Sequence, residues 1–124
     1  MGVRLLTALV VLALAGCDPF AGDWRGSGSD TFDGRLYPFE MDLTLARGQL
    51  RYNNDGGTRI LTGTYEPDGR ATMVSAEPDG GWRAEYNGEL SAESGRLRGE
   101  FVYVLPEVTR GPNSGTTRFD LGRY

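Results

Sequence analysis

The chain of 124 residues predicts an all-β domain, and three observations carry that prediction. Period-two alternation dominates after residue 17. Its clearest stretch sets Tyr37, Phe39, Met41, Leu43 and Leu45 against Glu40, Asp42 and Thr44. A strand with that pattern has one buried and one wet face. No window of about eleven residues or more in the same region shows good helical periodicity. Turn signals recur at short intervals: Ala46-Arg47-Gly48, Glu66-Pro67-Asp68-Gly69, Glu77-Pro78-Asp79-Gly80-Gly81 and Ala92-Glu93-Ser94-Gly95. Proline presets φ for a turn and glycine accepts φ > 0.

Taken in order, the strands fall at 22–28, 36–46, 49–54, 59–65, 70–76, 82–90, 96–105 and 116–124. The first opens on Gly22-Asp23-Trp24 and gives way to a polar link over 29–35. The second carries Pro38, which suits only a strand start or an edge-like position. Links at 46–48, 66–69 and 91–95 are short and gather at one end. Those at 29–35, 55–58, 77–81 and 106–115 gather at the other and include the two longest. Short links favour antiparallel neighbours. Eight such strands hide their edges most directly by closing into an up-and-down barrel. A two-sheet β-sandwich is the alternative. A weak echo, Gly63-Thr64-Tyr65, Gly88-Glu89-Leu90 and Gly99-Glu100-Phe101, reads as glycine relieving crowding in a curved sheet rather than as a repeat.

The segment before the strands has a different character. Arg4 precedes an apolar run from Leu5 to Ala15, too short for a comfortable membrane span. Residues 1–16 read as a signal peptide. Leu14-Ala15-Gly16-Cys17 resembles the lipobox of bacterial lipoproteins. That resemblance implies cleavage before Cys17, acylation of Cys17, and a lipid anchor in the cell envelope, on the periplasmic face of the inner or outer membrane. Residues 17–21 would then be the acylated cysteine and a short tether, and 22–124 the single barrel domain. Asp18 resembles the inner-membrane retention signal of enteric lipoproteins.

Composition excludes much. Arginine is the only basic residue type, and there is no histidine. Beyond the leader, twelve arginines face seventeen carboxylates, a net charge of −5. That argues against nucleic acid and against a polybasic lipid-headgroup site. Cys17 is the only cysteine, so no disulfide forms within the chain. Without histidine or a free thiol, most nucleophile–base pairs and soft-metal sites are gone, and no enzyme, cofactor or metal is expected. Asn53-Asn54-Asp55-Gly56 lacks the spacing and distal glutamate of a calcium loop. The carboxylate pairs Asp30/Asp33 and Glu40/Asp42 read as solvated faces.

Gly22-Asp23-Trp24 on the first strand and Arg123 on the last resemble the pattern of the calycins, the lipocalins and avidins. The resemblance implies a barrel closed where a late arginine packs over the tryptophan. The chain is too short for the lipocalin C-terminal helix, so the avidin-like layout fits better, and no biotin-binding residue maps. Physically, the start of the first strand and the end of the last meet at one end of the barrel. A cation–π contact between Arg123 and Trp24 would close it there. The competing reading makes Trp24 a plain core anchor and Arg123 a solvated residue.

Interior positions sort by end. Leu43, Leu45, Leu50, Leu90, Leu97 and Leu121 fall toward the short-link end as a packed plug. Tyr37, Phe39, Tyr52, Trp82 and Tyr103 fall toward the long-link end, where they would line a ligand mouth. An eight-stranded barrel is also just wide enough for its own side chains to fill it. Two functions follow: a lipid-anchored monomer holding a small apolar or aromatic ligand at the open end, or an envelope protein-interaction or hydrolase-inhibitor module with a solid barrel and working loops. An open cavity at the mouth favours the first and a filled interior the second.

Overall fold

The structure, a computed structural model, describes residues 18–54, 59–75 and 83–124. It is a closed antiparallel barrel whose eight strands follow chain order. They are β1 (Gly22–Phe32), β2 (Arg35–Ala46), β3 (Gln49–Asn54), β4 (Arg59–Tyr65), β5 (Arg70–Ser75), β6 (Glu85–Glu93), β7 (Arg96–Val104) and β8 (Ser114–Arg123). The sandwich alternative is excluded, because β1 pairs with both β2 and β8.

Local chemistry sets the turns. Asp33-Gly34, Arg47-Gly48 and Ser94-Gly95 each hold φ > 0 at both residues, from 52° to 78°. That is the two-residue turn whose twist matches flanking strands. Between β4 and β5 the Gly69 amide donates to the Glu66 carbonyl at 2.9 Å. The end collecting these links, apart from Asp33-Gly34, is called the floor and the opposite end the mouth. Along β7 buried and exposed residues alternate without a break.

One expected link is instead strand. β1 runs on to Phe32 and turns tightly at Asp33-Gly34, so 29–35 is no long loop. Between the inward rings of Trp24 and Phe32, its inward positions are Gly26, Gly28 and Asp30, which carry no hydrophobic signal. Rings from neighbouring strands cover the gap: a Cβ on Gly28 would lie 2.8 Å from Phe39. β6 begins at Glu85 rather than at 82.

The same device fills the barrel. Gly99 faces Phe119 across the β7–β8 ladder, and a Cβ there would meet the Phe119 ring at 2.1 Å. Small residues thus lie under large ones on adjacent strands, which packs a small barrel to its axis. Trp24, Leu43, Leu45, Leu61, Met73, Leu97, Phe101 and Leu121 are among its fully buried side chains. Phe101 and Phe119 stack with ring centroids 6.0 Å apart.

Residues 18–21 belong to the barrel rather than to a tether. Phe20 is buried at the floor and meets Tyr65 edge-on at 5.9 Å. The Trp24 indole N–H donates to the Phe20 carbonyl at 2.8 Å. Asp18 accepts from the Phe20 amide at 2.9 Å and from the Tyr65 hydroxyl at 2.5 Å. Burial first, and then that hydrogen bond to a carboxylate, push the Tyr65 phenol above its ordinary pKa.

At the mouth, β2 overhangs β3. Their pairing ends at Met41–Asn54, while β2 continues against β1 as far as Arg35. Among the described residues no strand pairs the β3-side edge of residues 35–40. A two-residue turn makes its flanking residues a hydrogen-bonded pair. Even-numbered residues of β2 therefore aim their backbone groups at the β3 side, and odd ones at β1. Pro38 sits on the open side, where its missing N–H removes no ladder bond and blunts the edge.

Candidate functional site at the mouth

The structure separates the five aromatics expected to line a ligand site. Tyr52 and Tyr103 point inward and are 3% and 6% exposed, as core residues. Tyr103 packs between Phe32 and Tyr86, at 6.2 and 5.0 Å between ring centroids. Phe39 is half-buried, its ring edge-on to Tyr52 at 6.3 Å. Tyr37 lies above the end of β3 and is 46% exposed. Trp82 and Cys17 lie outside the described residues. The segment after β7 folds back over the mouth. Leu105 is buried, its amide donates to the Asn113 carbonyl at 2.7 Å, and Val108 packs on the core.

Thr117 is the one polar side chain buried among the described residues. It faces Asp30 across the β1–β8 ladder and its hydroxyl donates to the Asp30 carboxylate. A buried hydroxyl needs such a partner, and an inward carboxylate needs donors. Asp30 was expected in a solvated loop. It faces inward because β1 continues past residue 28.

The expected Trp24–Arg123 pair is present. The two residues are cross-strand partners, and the guanidinium carbon lies 4.3 Å from the Trp24 ring centroid. Arg123 also donates to the Ala21 carbonyl at 2.8 Å. One cation therefore caps the tryptophan and ties residues 18–21 to the β1–β8 seam.

The outer wall divides into two halves. Toward the floor it is laced with ion pairs: Arg25–Asp42 at 2.7 Å, Arg96–Asp120 at 2.9 Å and Arg118–Glu100 at 3.1 Å. Arg96, and then Arg98, hold the Asp120 carboxyl below its usual range. One rung above Arg118 and Glu100 lies a row without charge. Cross-strand pairing gives a continuous row, Leu36, Thr31, Thr116, Val102, Asn87, Thr72 and Thr64, with no ionisable side chain. Leu36 is 66% and Val102 55% exposed, and one rung higher the exposed Val104 and Val74 flank Glu85, which pairs with Arg83 at 3.3 Å. At the far end of the row, an open groove of about 560 Å³ runs between Thr64, Thr72, Asn87 and Glu89.

Period-two alternation marks one apolar face of a strand and leaves this wall unmarked. A signal was present: Phe101-Val102-Tyr103-Val104-Leu105 is a continuous apolar run, and on a strand such a run makes both faces apolar. Among the described residues no group of three or more carboxylates is placed to hold a metal ion. No family model, curated protein or solved structure matches this chain.

Proposed function

We propose that this chain is a lipid-anchored envelope module that binds a partner protein with the outer wall of a solid barrel near its mouth. One observation carries the reading. The interior aromatics are spent on the core, while Leu36 and Val102 stand exposed on the only charge-free row that the ladder pairing traces across the described wall, with Val104 and Val74 one rung above on either side of Glu85. Exposed apolar side chains grouped beside a polar rim mark contact surfaces, and depletion of charge marks their centres. The module is a binder rather than an enzyme and acts as a monomer at the periplasmic face. The Trp24–Arg123 closure supports kinship with calycin-like barrels.

The experiment places a photo-crosslinking residue at Val102 or at Arg98, two rungs lower on the same strand, in cells. Val102 should give a discrete crosslinked species of defined mass and Arg98 should not. Val102→Asp should abolish partner binding without lowering stability, since the side chain faces solvent. Equal crosslinking at both positions, or an unaffected Val102→Asp protein, refutes the reading. In the same cells, Cys17→Ser should lose fatty-acid label and leave the membrane fraction. Retention of label refutes the anchor.

The small-ligand reading rests on Phe32, Tyr37 and Phe39, whose rings remain partly accessible at the rim. Its measurement is a titration of an aromatic ligand followed by tyrosine fluorescence in a Tyr37→Ala pair.

A further inference from the structure

We infer that Asp18 is the pin that fixes the pose of the barrel on the bilayer, and that the floor is a membrane-facing surface lying at headgroup depth. This rests on the lipid-anchor reading for its membrane and on the hydrogen bonds of the floor for its geometry.

Four free residues would span up to about 14 Å and let the domain swing. None of the four is free. The Asp18 side chain is held by the Tyr65 hydroxyl and the Phe20 amide. Phe20 is wedged into the floor, Arg123 grips the Ala21 carbonyl, and the Trp24 indole grips that of Phe20. Cys17 is thus one peptide unit, about 3.8 Å between Cα atoms, from a residue fixed to the barrel. A lipid on its sulfur draws the floor onto the bilayer and leaves no linker to rotate about.

The chemistry of the floor suits the polar layer rather than the hydrocarbon. Its turns present Arg47, Glu66, Asp68, Glu93 and Ser94, all exposed. Charges of both signs there are costly within acyl chains and at ease among headgroups. An independent observation points the same way. Tyr124 follows β8 at this end, 77% exposed, with its amide bonded to the Asp23 carbonyl at 2.9 Å. Arg25 lies over its ring at 3.6 Å. A tyrosine with an apolar ring and a wet hydroxyl is the side chain that settles at a membrane interface. The other exposed large apolar residues, Leu36, Tyr37, Val74, Val102 and Val104, all lie in the mouth half. A tilted strand of the length of β1 sets that half about 25 Å away.

The test uses the lipidated protein in vesicles of a zwitterionic phospholipid carrying a spin-labelled headgroup. Single cysteines at Ser94 (floor) and Ser114 (mouth) report distance to that layer in separate variants. The unmodified background should give two narrow distributions, with Ser114 farther by roughly 20 Å. Tyr65→Phe keeps the ring on Phe20 but removes the hydroxyl that holds Asp18, and Asp18→Ala removes the acceptor. Each should keep its fatty acid yet broaden both distributions at least twofold and bring Ser114 toward the bilayer. Equal distances in the background protein, or narrow distributions in Tyr65→Phe, overturn the pin and leave the anchor standing. Absence of fatty acid on the background protein overturns the anchor instead. The pin is then read alone in the Cys17→Ser protein, where Asp18→Ala should speed exchange of the Phe20 amide about tenfold, as expected for one hydrogen bond to a carboxylate. An unchanged exchange rate overturns it there too.

Discussion

Gly99→Ala puts a number on whether the barrel is solid. The added methyl would start 2.1 Å from one Phe119 ring carbon and 2.6 Å from two others. Ordinary carbon contacts lie at about 3.5–4.0 Å, so the ring must retreat by about 1.5 Å. Phe101 stacks on it and is itself fully buried. Gly28, on β1, lies under the same ring's cross-strand position and offers no slack, since its own Cβ site is crowded by Phe39. Overpacking of this kind costs about 1–3 kcal/mol, and replacing a strand glycine returns about 0.5–1 kcal/mol. The net expectation is a loss of about 1–2 kcal/mol, which in a domain of this size lowers Tm by roughly 5–15 °C. Urea unfolding of the Cys17→Ser protein, followed by circular dichroism, measures it. Phe119→Leu shrinks the opposing side chain, so the double variant should fall short of the summed single losses by about 1 kcal/mol. Gly63→Ala is the contrast, because its methyl would sit 1.8 Å from the Thr72 carbonyl oxygen, a backbone atom. It should cost more and no side-chain shrinkage should rescue it. If Gly99→Ala unfolds within about 0.3 kcal/mol of the parent, the ring has room to swing. The interior would then be open enough for a ligand, and the reasoning for a solid barrel fails.

Three further expectations follow from the same contacts. Trp24→Ala should cost about 3–5 kcal/mol, the range for a large buried ring, and should couple to Arg123→Ala by about 0.5–1 kcal/mol in a double-mutant cycle; strict additivity removes the cation–π closure. Pro38→Val restores an N–H to the open edge of β2 and should raise self-association in sedimentation, and an unchanged monomer would show that the edge is protected by something other than Pro38. Acid titration followed by carboxylate NMR should place Asp120 and Asp68 below the ordinary aspartate value, through the Arg96 side chain and the Arg70 amide respectively. A depressed folded pKa stabilises above the unfolded value and is lost as pH falls through the folded one, so these exposed groups weaken the fold slightly below about pH 4. Tyr65 acts in the opposite range: its raised pKa keeps the folded state protonated, so stability should decline as pH rises past about 10, and a flat alkaline profile in Tyr65→Phe identifies the source.

Much of this protein was determined locally. Alternation in Tyr37–Leu45 and in Arg96–Val104 sets which side chains face inward, because successive residues of a strand must point to opposite faces. Glycine in Arg47-Gly48 and Ser94-Gly95 sets where the chain reverses, because φ > 0 is nearly free only there. Those two constraints favour antiparallel neighbours in chain order but leave a sandwich open; the closure of β1 on β8 is what sets Arg123 beside Trp24. The extension of β1 over Ser29–Phe32 was not legible, because Asp30 points inward with no hydrophobicity and Gly28 before it is marked as interior only by the ring of Phe39, from β2. The same holds for the filled barrel. Gly99 and Phe119 are twenty positions apart, and their complementarity exists only once β7 lies on β8. Phe20 precedes the first alternating residue and reads as tether until Trp24, Tyr65 and Arg123 converge on its segment. The uncharged row on the outer wall is assembled from single residues of seven strands. Each is unremarkable within its own strand, and only barrel closure sets them side by side. Pattern along the chain decides which way a side chain points; which neighbour it meets is decided by register between strands, and that is a property of the tertiary structure alone.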